Sequence, residues 1–524
     1  MKDITSGLFK LPTREERVAN RAGAPLNPFK LMAMLTPMQG AMFFSGWLAW
    51  TMDAIDFFSV SLSVNRLVEF FDRDAHTITT SITLTLLFRS LGAVVAGLIS
   101  DRYGRKWPLV VNLLLIGVLS LGTGFTQTFP QFLAVRCLFG IAMGGIWGMA
   151  TATALENMPV APRGLFSGIL QQGYAVGYLL AASVNLTWVH RTDNWRILFW
   201  LGAGLSAFAA IVRALLPESE LFERQKAERK ANPNTTTGES PAKIFWRETG
   251  QMLKTHWPRV VYGILLMTGF NFLSHSSQDL YPTIIQTTKL ARLPTSEASA
   301  LASKATIIGN CGAVAGGLVA GYISQFLGRR LTIIVFVLMT GALIPAWILP
   351  TSFSGLAAGA FWIQFGVQGA WGVVPIFLSE ISPPAFRATF AGTAYQIGNM
   401  VSSASAQIEA TGGEHNQIAN PRYNPALPVS SKNELTIPDY AKVSAILLGV
   451  VCAYLIAVVV LGLPEQHGAH FEEAPVATVA HAGEVKPDDL EKGDRIDQHS
   501  STEHVGDRAI DSNDNSEKGS QKGH

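Results

Sequence analysis

A run of polar side chains interrupts an apolar segment in the middle of the chain. Asn271, His275 and Asp279 recur every four residues, and Ser274 and Gln278 fall on the same side if the segment is helical. Ionisable side chains at membrane depth cost about 2.5–3.5 kcal/mol each, so they normally face a cavity or a partner. The spacing predicts a water-accessible, functional helix face. The alternative is a structural contact, in which His275 and Asp279 pair with each other or with a neighbouring helix.

His275 is the side chain of this segment best suited to carry a proton. The unperturbed pKa of histidine is about 6.5, so its charge changes near physiological pH, and Asp279 one turn later can tune that change. We predict that His275 and Asp279 titrate as a coupled pair. Asp53 and Asp56 in the first apolar segment are further candidates for proton coupling, although either carboxylate could simply neutralise a buried arginine.

Arg136 is the candidate anchor for an anion. It opens the fourth apolar segment and is followed by Gly140 and Gly144, whose spacing lets a neighbouring helix approach closely. A guanidinium stays charged and can hold a carboxylate with two parallel hydrogen bonds. The alternative is a structural charge near the membrane edge. Arg89 in the second apolar segment is equally ambiguous, and Gln396 in the eleventh offers an uncharged hydrogen-bonding group suited to a cavity wall.

Composition indicates a membrane protein that crosses the bilayer many times. Of 524 residues, 48% are hydrophobic and only 15% are charged. Twelve apolar stretches of spanning length predict an all-α protein of twelve transmembrane helices in two six-helix halves. We expect a cytoplasmic N-terminal segment (1–39), a first half (40–216), a cytoplasmic linker (217–259), a second half (260–464) and a cytoplasmic tail (465–524), because the intervening Lys and Arg residues favour the side on which both ends lie.

An internal repeat with a constant offset of 224 residues relates the two halves. The segment 97–106 aligns with 321–330, and the Glu156…Arg163 spacing recurs as Glu380…Arg387. Parallel repeats of this kind are typical of transporters whose substrate binds between the halves and whose halves rock to give alternating access.

The loop that ends the second apolar segment resembles the signature of the major facilitator superfamily. It reads Gly97-x-x-x-Asp101-Arg102-x-Gly104-Arg105-Lys106, and in the second half Gln325 replaces the acid. Asp101 can lie against a helix N-terminus while the basic residues pair with carboxylates, which would form a latch that breaks in the other conformation. Charges that only set topology are the compatible alternative. The predicted latch residues are Asp101, Arg102, Arg105, Lys106, Glu156, Arg163, Glu380 and Arg387.

The central polar segment resembles a second, narrower signature. Asn271-x-x-Ser274-His275-x-Ser277-Gln278-Asp279-x-x-x-Thr283 is similar to the motif of the fungal Jen family of carboxylate/proton symporters. The resemblance implies that Asn271, His275, Gln278 and Asp279 bind substrate or couple protons. It also implies a plasma-membrane symporter for lactate and pyruvate, with acetate and propionate as further candidates.

Charge matching agrees with that resemblance. A monocarboxylate in a low-dielectric cavity needs its charge balanced, which Arg136 and neutral donors such as Asn271, Ser274 and Gln278 could supply. Co-transport of a proton makes the step electroneutral. The expected partners are therefore a small carboxylate, a proton and the lipid bilayer, with no nucleic acid and no cofactor beyond the proton.

Two alternatives remain at this stage. A dicarboxylate or other organic acid, such as malate or succinate, could replace the monocarboxylate, or the chain could be a receptor that does not transport. An enzyme is disfavoured because the sequence contains no phosphate-binding loop, no nucleophile elbow and no cysteine spacing for a metal.

The ends of the second half carry two further features. The tail has 14 Asp and Glu residues against 6 Lys and Arg, and we expect it to be disordered, either as a solvating segment or as a target of trafficking and ubiquitination machinery. The long loop at 411–441 could be a lid, but an insertion is the favoured interpretation.

Overall fold

The computed structural model describes the body of the chain and the first part of its tail. The described residues are 13, 24–73, 75–220, 222–224, 227, 240–423, 435–467, 471, 474–479 and 481–486. The centre of the linker and the tail beyond residue 486, in which a target of ubiquitination was one expectation, lie outside the described residues.

Twelve long helices make up the described body of the chain, as the sequence predicted. In the first half, α1 is Pro37–Phe71, α2 Ala75–Tyr103, α3 Lys106–Thr123, α4 Phe129–Gly144 with Ile146–Leu155, α5 Arg163–Gln171 with Gly173–Val184, and α6 Arg196–Leu215. In the second half, α7 is Pro241–Gln278, α8 Thr295–Leu327, α9 Arg329–Ile348, α10 Phe353–Gly372 with Val374–Ile381, α11 Arg387–Ser402 with Ser405–His415, and α12 Tyr440–Leu461.

Short elements connect these helices. They are the helices Pro28–Met32, His190–Thr192 and Tyr281–Ile284, the π-helical turns Asn185–Val189 and Ile285–Lys289, and the 3₁₀ turn Pro384–Phe386. The predicted loop at 411–441 is partly ordered: α11 runs on to His415, and strands β1 (Gln417–Ala419) and β2 (Thr436–Pro438) pair antiparallel, with Ile418 opposite Ile437. Residues 424–434, between the strands, lie outside the described residues.

The seventh helix begins earlier than the apolar pattern indicates. The sequence places residues 217–259 in a linker, whereas α7 starts at Pro241. Ser240 caps this helix, since its side chain accepts a hydrogen bond from the Lys243 amide, and proline is well suited to the first helical position. The polar first turns of α7 therefore extend the helix beyond the apolar, membrane-spanning part.

Eight of the described helices are long and apolar enough to cross a membrane: α2, α3, α4, α6, α8, α9, α10 and α12. The other four, α1, α5, α7 and α11, carry the polar residues that the sequence singled out, which lowers their hydropathy. All four contribute side chains to the central cavity described below. Their weaker apolar character is therefore expected of helices that face water on one side.

Glycines at repeat-related positions set the closest helix contacts. A Cβ at Gly92 of α2 would overlap the carbonyl oxygen of Ile141 in α4. At the offset of 224, a Cβ at Gly316 of α8 would overlap the carbonyl oxygen of Phe365 in α10. Each half thus packs one helix pair backbone to backbone at the same place, which is how small residues stabilise membrane helix pairs.

Candidate substrate-binding site

A cavity of about 720 Å³ lies between the two halves. The first half lines it with residues of α1, α2 and α5, and the second half with residues of α7 to α11. Its aromatic wall includes Phe58, Tyr174 and Trp371, while the largest set of its polar groups comes from α7. Mostly apolar walls with a few converging polar groups are typical of small-molecule sites.

The predicted polar face of α7 lines this cavity. Asn271, Ser274, His275, Gln278 and Asp279 all contribute to its wall. The Asn271 amide donates to the Met267 carbonyl at 2.8 Å, so its side chain is held against its own helix. The structure therefore brings together the five residues that helical spacing placed on one side.

His275 has an oxygen atom facing each of its ring nitrogens. Nδ1 lies 3.0 Å from Asp279 Oδ2, and Nε2 lies 3.1 Å from Asn399 Oδ1. The amide nitrogen of Asn399 points instead at Gln396 Oε1, 3.4 Å away, which accounts for the orientation of its oxygen toward His275. A neutral imidazole can donate from one nitrogen only, whereas an imidazolium satisfies both oxygens. This geometry fits a protonated His275 beside an ionised Asp279.

Two glutamines of α10 complete the polar wall, and the sequence analysis missed them. Gln278 Nε2 donates to Gln364 Oε1 at 2.7 Å, and Gln364 Nε2 donates to Ser277 Oγ at 3.1 Å. Gln368 lies one turn further along α10, with its Nε2 3.5 Å from Ser274 Oγ. The signal was present, because Gln364 and Gln368 repeat at four residues inside an apolar segment, as do the polar residues of α7.

Arg89 supplies the positive charge of the cavity. Among the described residues it is the one arginine or lysine that lines the wall. Its Nη2 atom lies 3.6 Å from Asp53 Oδ2, and both side chains are almost completely buried. Neither oxygen of Asp53, nor the Nε and Nη2 atoms of Arg89, has a hydrogen-bond partner in the described part of the chain. Arg89 is thus held by the charge of Asp53 and by the ring of Phe57, whose centroid lies 5.7 Å from the guanidinium carbon.

Arg136, Asp56 and Gln396 lie behind the wall rather than in it. The guanidinium of Arg136 lies 3.9 Å from the Phe139 ring centroid, and Asp56 accepts hydrogen bonds from the hydroxyls of Ser120 and Ser206. Gln396 is fully buried. The residues predicted as the site therefore form two layers: the α7 face lines the cavity, whereas these three and the fully buried Asp53 lie behind the wall.

Comparison with known proteins agrees with this architecture. Residues 41–406 match the Major Facilitator Superfamily. The chain belongs to that superfamily. A carboxylic acid transporter protein homolog from Saccharomyces cerevisiae is 35% identical over 498 residues, which cover 93% of this chain and 78% of the relative. This supports the recognition of a Jen-type member of the superfamily and excludes an enzyme.

More distant relatives share the architecture. A probable 4-methylmuconolactone transporter from Cupriavidus pinatubonensis is 25% identical over 74% of this chain and 86% of the relative. The solved structure of the proton:xylose symporter XylE bound to 6-bromo-6-deoxy-D-glucose is 18% identical, with a TM-score of 0.59 over 83% of this chain and 98% of that one. At this identity the likeness to XylE shows the fold alone.

The superfamily signature loop, which is the predicted latch, makes its contacts where the two halves meet. Asp101 accepts hydrogen bonds from the amide of Thr389 at 2.9 Å and from its hydroxyl at 2.6 Å, at the N-terminus of α11. Arg105 pairs with Asp101 and, through two hydrogen bonds of 3.0 and 2.7 Å, with Glu156. A carboxylate at a helix N-terminus is stabilised by the exposed amides and the helix dipole. We call this end of the bundle the latch end.

The second half repeats the latch with one change. Arg329 makes two hydrogen bonds to Glu380, of 3.1 and 3.0 Å, and a third, of 3.2 Å, to Gln325. Gln325 Oε1 accepts from the Gly164 amide at the start of α5, 3.3 Å away. Gln325 therefore stands in the place of Asp101, and an uncharged amide replaces the carboxylate.

The remaining predicted latch residues have other partners than the sequence indicated. The repeat suggested the pairs Glu156…Arg163 and Glu380…Arg387. In the structure Glu156 binds Arg105 and Glu380 binds Arg329. Arg163 and Arg387 lie instead against the ring of Phe471. Arg102 stacks on the ring of Tyr103, and the Lys106 amide donates to Glu218 Oε2 at 3.0 Å.

Proposed function

We propose that this chain is a proton-coupled symporter that imports short monocarboxylates, with lactate and pyruvate as the main candidates, by alternating access. The observation that carries the proposal is Arg89 in the cavity wall, opposite a face that holds His275 and Asp279. A guanidinium in a cavity wall is suited to bind a carboxylate through two parallel hydrogen bonds. The carboxylic acid transporter homolog from yeast supports an organic acid as the substrate class.

The charges of the wall favour a single carboxylate. With Arg89 as the one arginine or lysine on the described wall, one anionic group can be matched. A second carboxylate would be left without a cation in a low-dielectric site, which is costly. A dicarboxylate such as succinate remains the second candidate, because a proton on Asp279 would leave the imidazolium of His275 as a second positive charge.

The Arg89–Asp53 pair offers a route to coupling. Substrate and Asp53 compete for the same guanidinium, which lies 3.6 Å from the Asp53 carboxylate. A proton on Asp53 removes its charge and frees Arg89 for the substrate. His275, set between the oxygens of Asp279 and Asn399, is a second place to hold a proton. One anion and one proton then cross together, so the step is electroneutral.

The direction of opening follows from the latch. The halves pack tightly at the latch end, where a Cβ at Gly148 would contact the Ala388 carbonyl and one at Gly168 would contact Gly317. The cavity reaches the opposite end, where Asp279 is 36% exposed. We propose that the latch end faces the cytoplasm and that the cavity is open to the exterior, which is the conformation that would accept substrate and protons from outside.

Uptake of radiolabelled lactate tests the proposal. The chain is expressed in cells that lack their own carboxylate carriers, and initial rates are measured at external pH 5 and pH 7.5 with unlabelled malate and succinate as competitors. We expect saturable uptake that is faster at acid pH and resists the diacids. Arg89→Gln is the inactive control, provided that its surface expression matches the wild type.

The other outcomes separate the alternatives. Strong inhibition by malate and succinate would transfer the assignment to a dicarboxylate symporter. Normal surface expression without uptake of any acid would overturn transport and favour a receptor that keeps the fold.

A further inference from the structure

The segment after α12 lies across the latch end instead of extending into solvent. The acidic composition predicts disorder from residue 465 onward, but Phe471, Ala477 and Ala482 are buried. Glu465 accepts hydrogen bonds from the Arg329 and Arg330 amides and so caps the N-terminus of α9. The expectation of disorder rested on the acidic composition of the whole tail, which hides the apolar residues of its first part.

Phe471 is the part of this segment that touches both halves. Its side chain is 1% exposed. The guanidinium carbons of Arg163 and Arg387 lie 4.0 and 4.3 Å from its ring centroid, and Arg387 Nη1 donates to its carbonyl oxygen at 3.4 Å. The two arginines are exact mates in the 224-residue repeat, one from each half. Cations over the faces of an aromatic ring are attracted by its quadrupole.

The ring of Phe471 also makes apolar contacts with both halves. Phe471 belongs to a buried cluster with Met158 and Phe166 of the first half and Ile376 of the second. The site therefore has the chemistry to bind an aromatic side chain, with a cation from each half over the ring and apolar residues around it.

The tail on either side of Phe471 is tied to the second half. On one side it continues from α12, and on the other Ala477 and Ala482 pack with Phe245 of α7. The Gly483 amide donates to Glu248 Oε2 at 3.1 Å, and Gln251 Nε2 donates to Glu484 Oε1 at 2.9 Å. The described residues before and after Phe471 thus contact the second half, whereas Phe471 itself contacts both halves.

His467 is also buried at the latch end, near Arg163 and Arg329. It is 6% exposed, and neither ring nitrogen has a hydrogen-bond partner in the described part of the chain. Burial and the neighbouring charges of Arg329 and Arg163 lower the pKa of His467 to about 2. The docked tail therefore holds this histidine in its neutral form.

We infer that the latch end carries a docking surface for the described part of the chain's own tail (464–467, 471, 474–479 and 481–486), and that Phe471 between Arg163 and Arg387 holds the two halves together there. Opening the cavity toward the latch end must separate the halves, so Phe471 has to leave at least one arginine in each transport cycle. The docked tail is then a brake that favours the conformation open at the opposite end. This inference rests on the proposed alternating access.

Pulsed electron paramagnetic resonance on the purified full-length chain in lipid nanodiscs tests the brake without any transport. Spin labels are attached at Tyr103→Cys of the first half and Trp257→Cys of the second, both exposed positions, after replacement of the three native cysteines. The measured quantity is the ratio between the populations of molecules with a long and with a short distance between the labels at the latch end, in the absence of substrate.

Three variants separate the roles of the tail. Phe471→Ala should raise the ratio of long to short distances at least about tenfold, because it removes both the ring and its packing. Phe471→Leu keeps an apolar side chain and should raise the ratio about threefold, through loss of the ring contacts alone. Val479→Ala changes an exposed tail residue and should leave the ratio unchanged.

Unchanged distances in both Phe471 variants would overturn the brake. Because no carboxylate is present, that failure would leave the proposed lactate transport untouched. Conversely, a chain that opens on loss of Phe471 but takes up no acid would retain the brake and lose the proposed substrate.

Discussion

Replacing Arg89 by lysine isolates the predicted grip on the substrate carboxylate. Lysine keeps the positive charge beside Asp53, so the buried pair and the fold should survive. It cannot offer two parallel donors, however, and one charge-assisted hydrogen bond is worth about 1.5–3 kcal/mol. Loss of one such bond corresponds to a rise in KM of roughly 10- to 150-fold. The measurement is the initial rate of lactate uptake against concentration, corrected for surface expression.

Arg136→Lys is the matched control, because Arg136 is also a buried arginine of the first half but lies behind the cavity wall against Phe139. We expect its KM to change by less than about twofold. The opposite result, a large rise for Arg136→Lys with a normal KM for Arg89→Lys, would refute the assignment and restore Arg136 as the anion anchor that the sequence first indicated.

Three further changes test other parts of the structure. His275→Ala should flatten the dependence of uptake on pH between pH 5 and 7.5, and an unaltered profile would exclude this histidine from coupling. Gly92→Ala should abolish stable protein in detergent, because its Cβ meets a backbone carbonyl, whereas Gly204→Ala, with open space around it, should keep or slightly raise Tm. The pKa of His467 is about 2 in the docked tail, below the ordinary value near 6.5. Docking is therefore strongest above pH 6.5 and weakens as the pH falls below it. The label distances in nanodiscs should lengthen toward pH 5.5 in the wild type more than in His467→Leu.

Local spacing was enough to predict the polar face of α7. Side chains four residues apart share a helix face whatever the tertiary structure, so Asn271, His275 and Asp279 had to lie together. Their position beside a cavity followed from the cost of burying such groups in lipid. The same reasoning, applied to α10, would have found Gln364 and Gln368.

The choice between Arg89 and Arg136 could not be made from the sequence, since it depends on how each helix is rotated about its axis. The stripe Arg136, Gly140 and Gly144 predicted a close helix contact, and α2 makes that contact: a Cβ at Gly140 or Gly144 would overlap the backbone of Thr85 or Arg89. The Thr85 hydroxyl also donates to the Arg136 carbonyl at 3.2 Å. The stripe faces α2, while the guanidinium of Arg136 lies over the rings of Phe139 and Phe199, behind the cavity wall.

The two halves share the residues of the latch end but differ in the residues that line the cavity. At the offset of 224 residues the latch is kept twice, with Arg105 and Arg329 each holding a glutamate. The chemistry is not repeated: Arg89 corresponds to Ala313, and His275 to Thr51. Gly140 and Gly144, which pack against α2 in the first half, correspond to Gln364 and Gln368, which line the cavity in the second half. Rocking needs matching contacts in both halves, whereas the proposed monocarboxylate would meet two different walls, with Arg89 on one and His275 on the other.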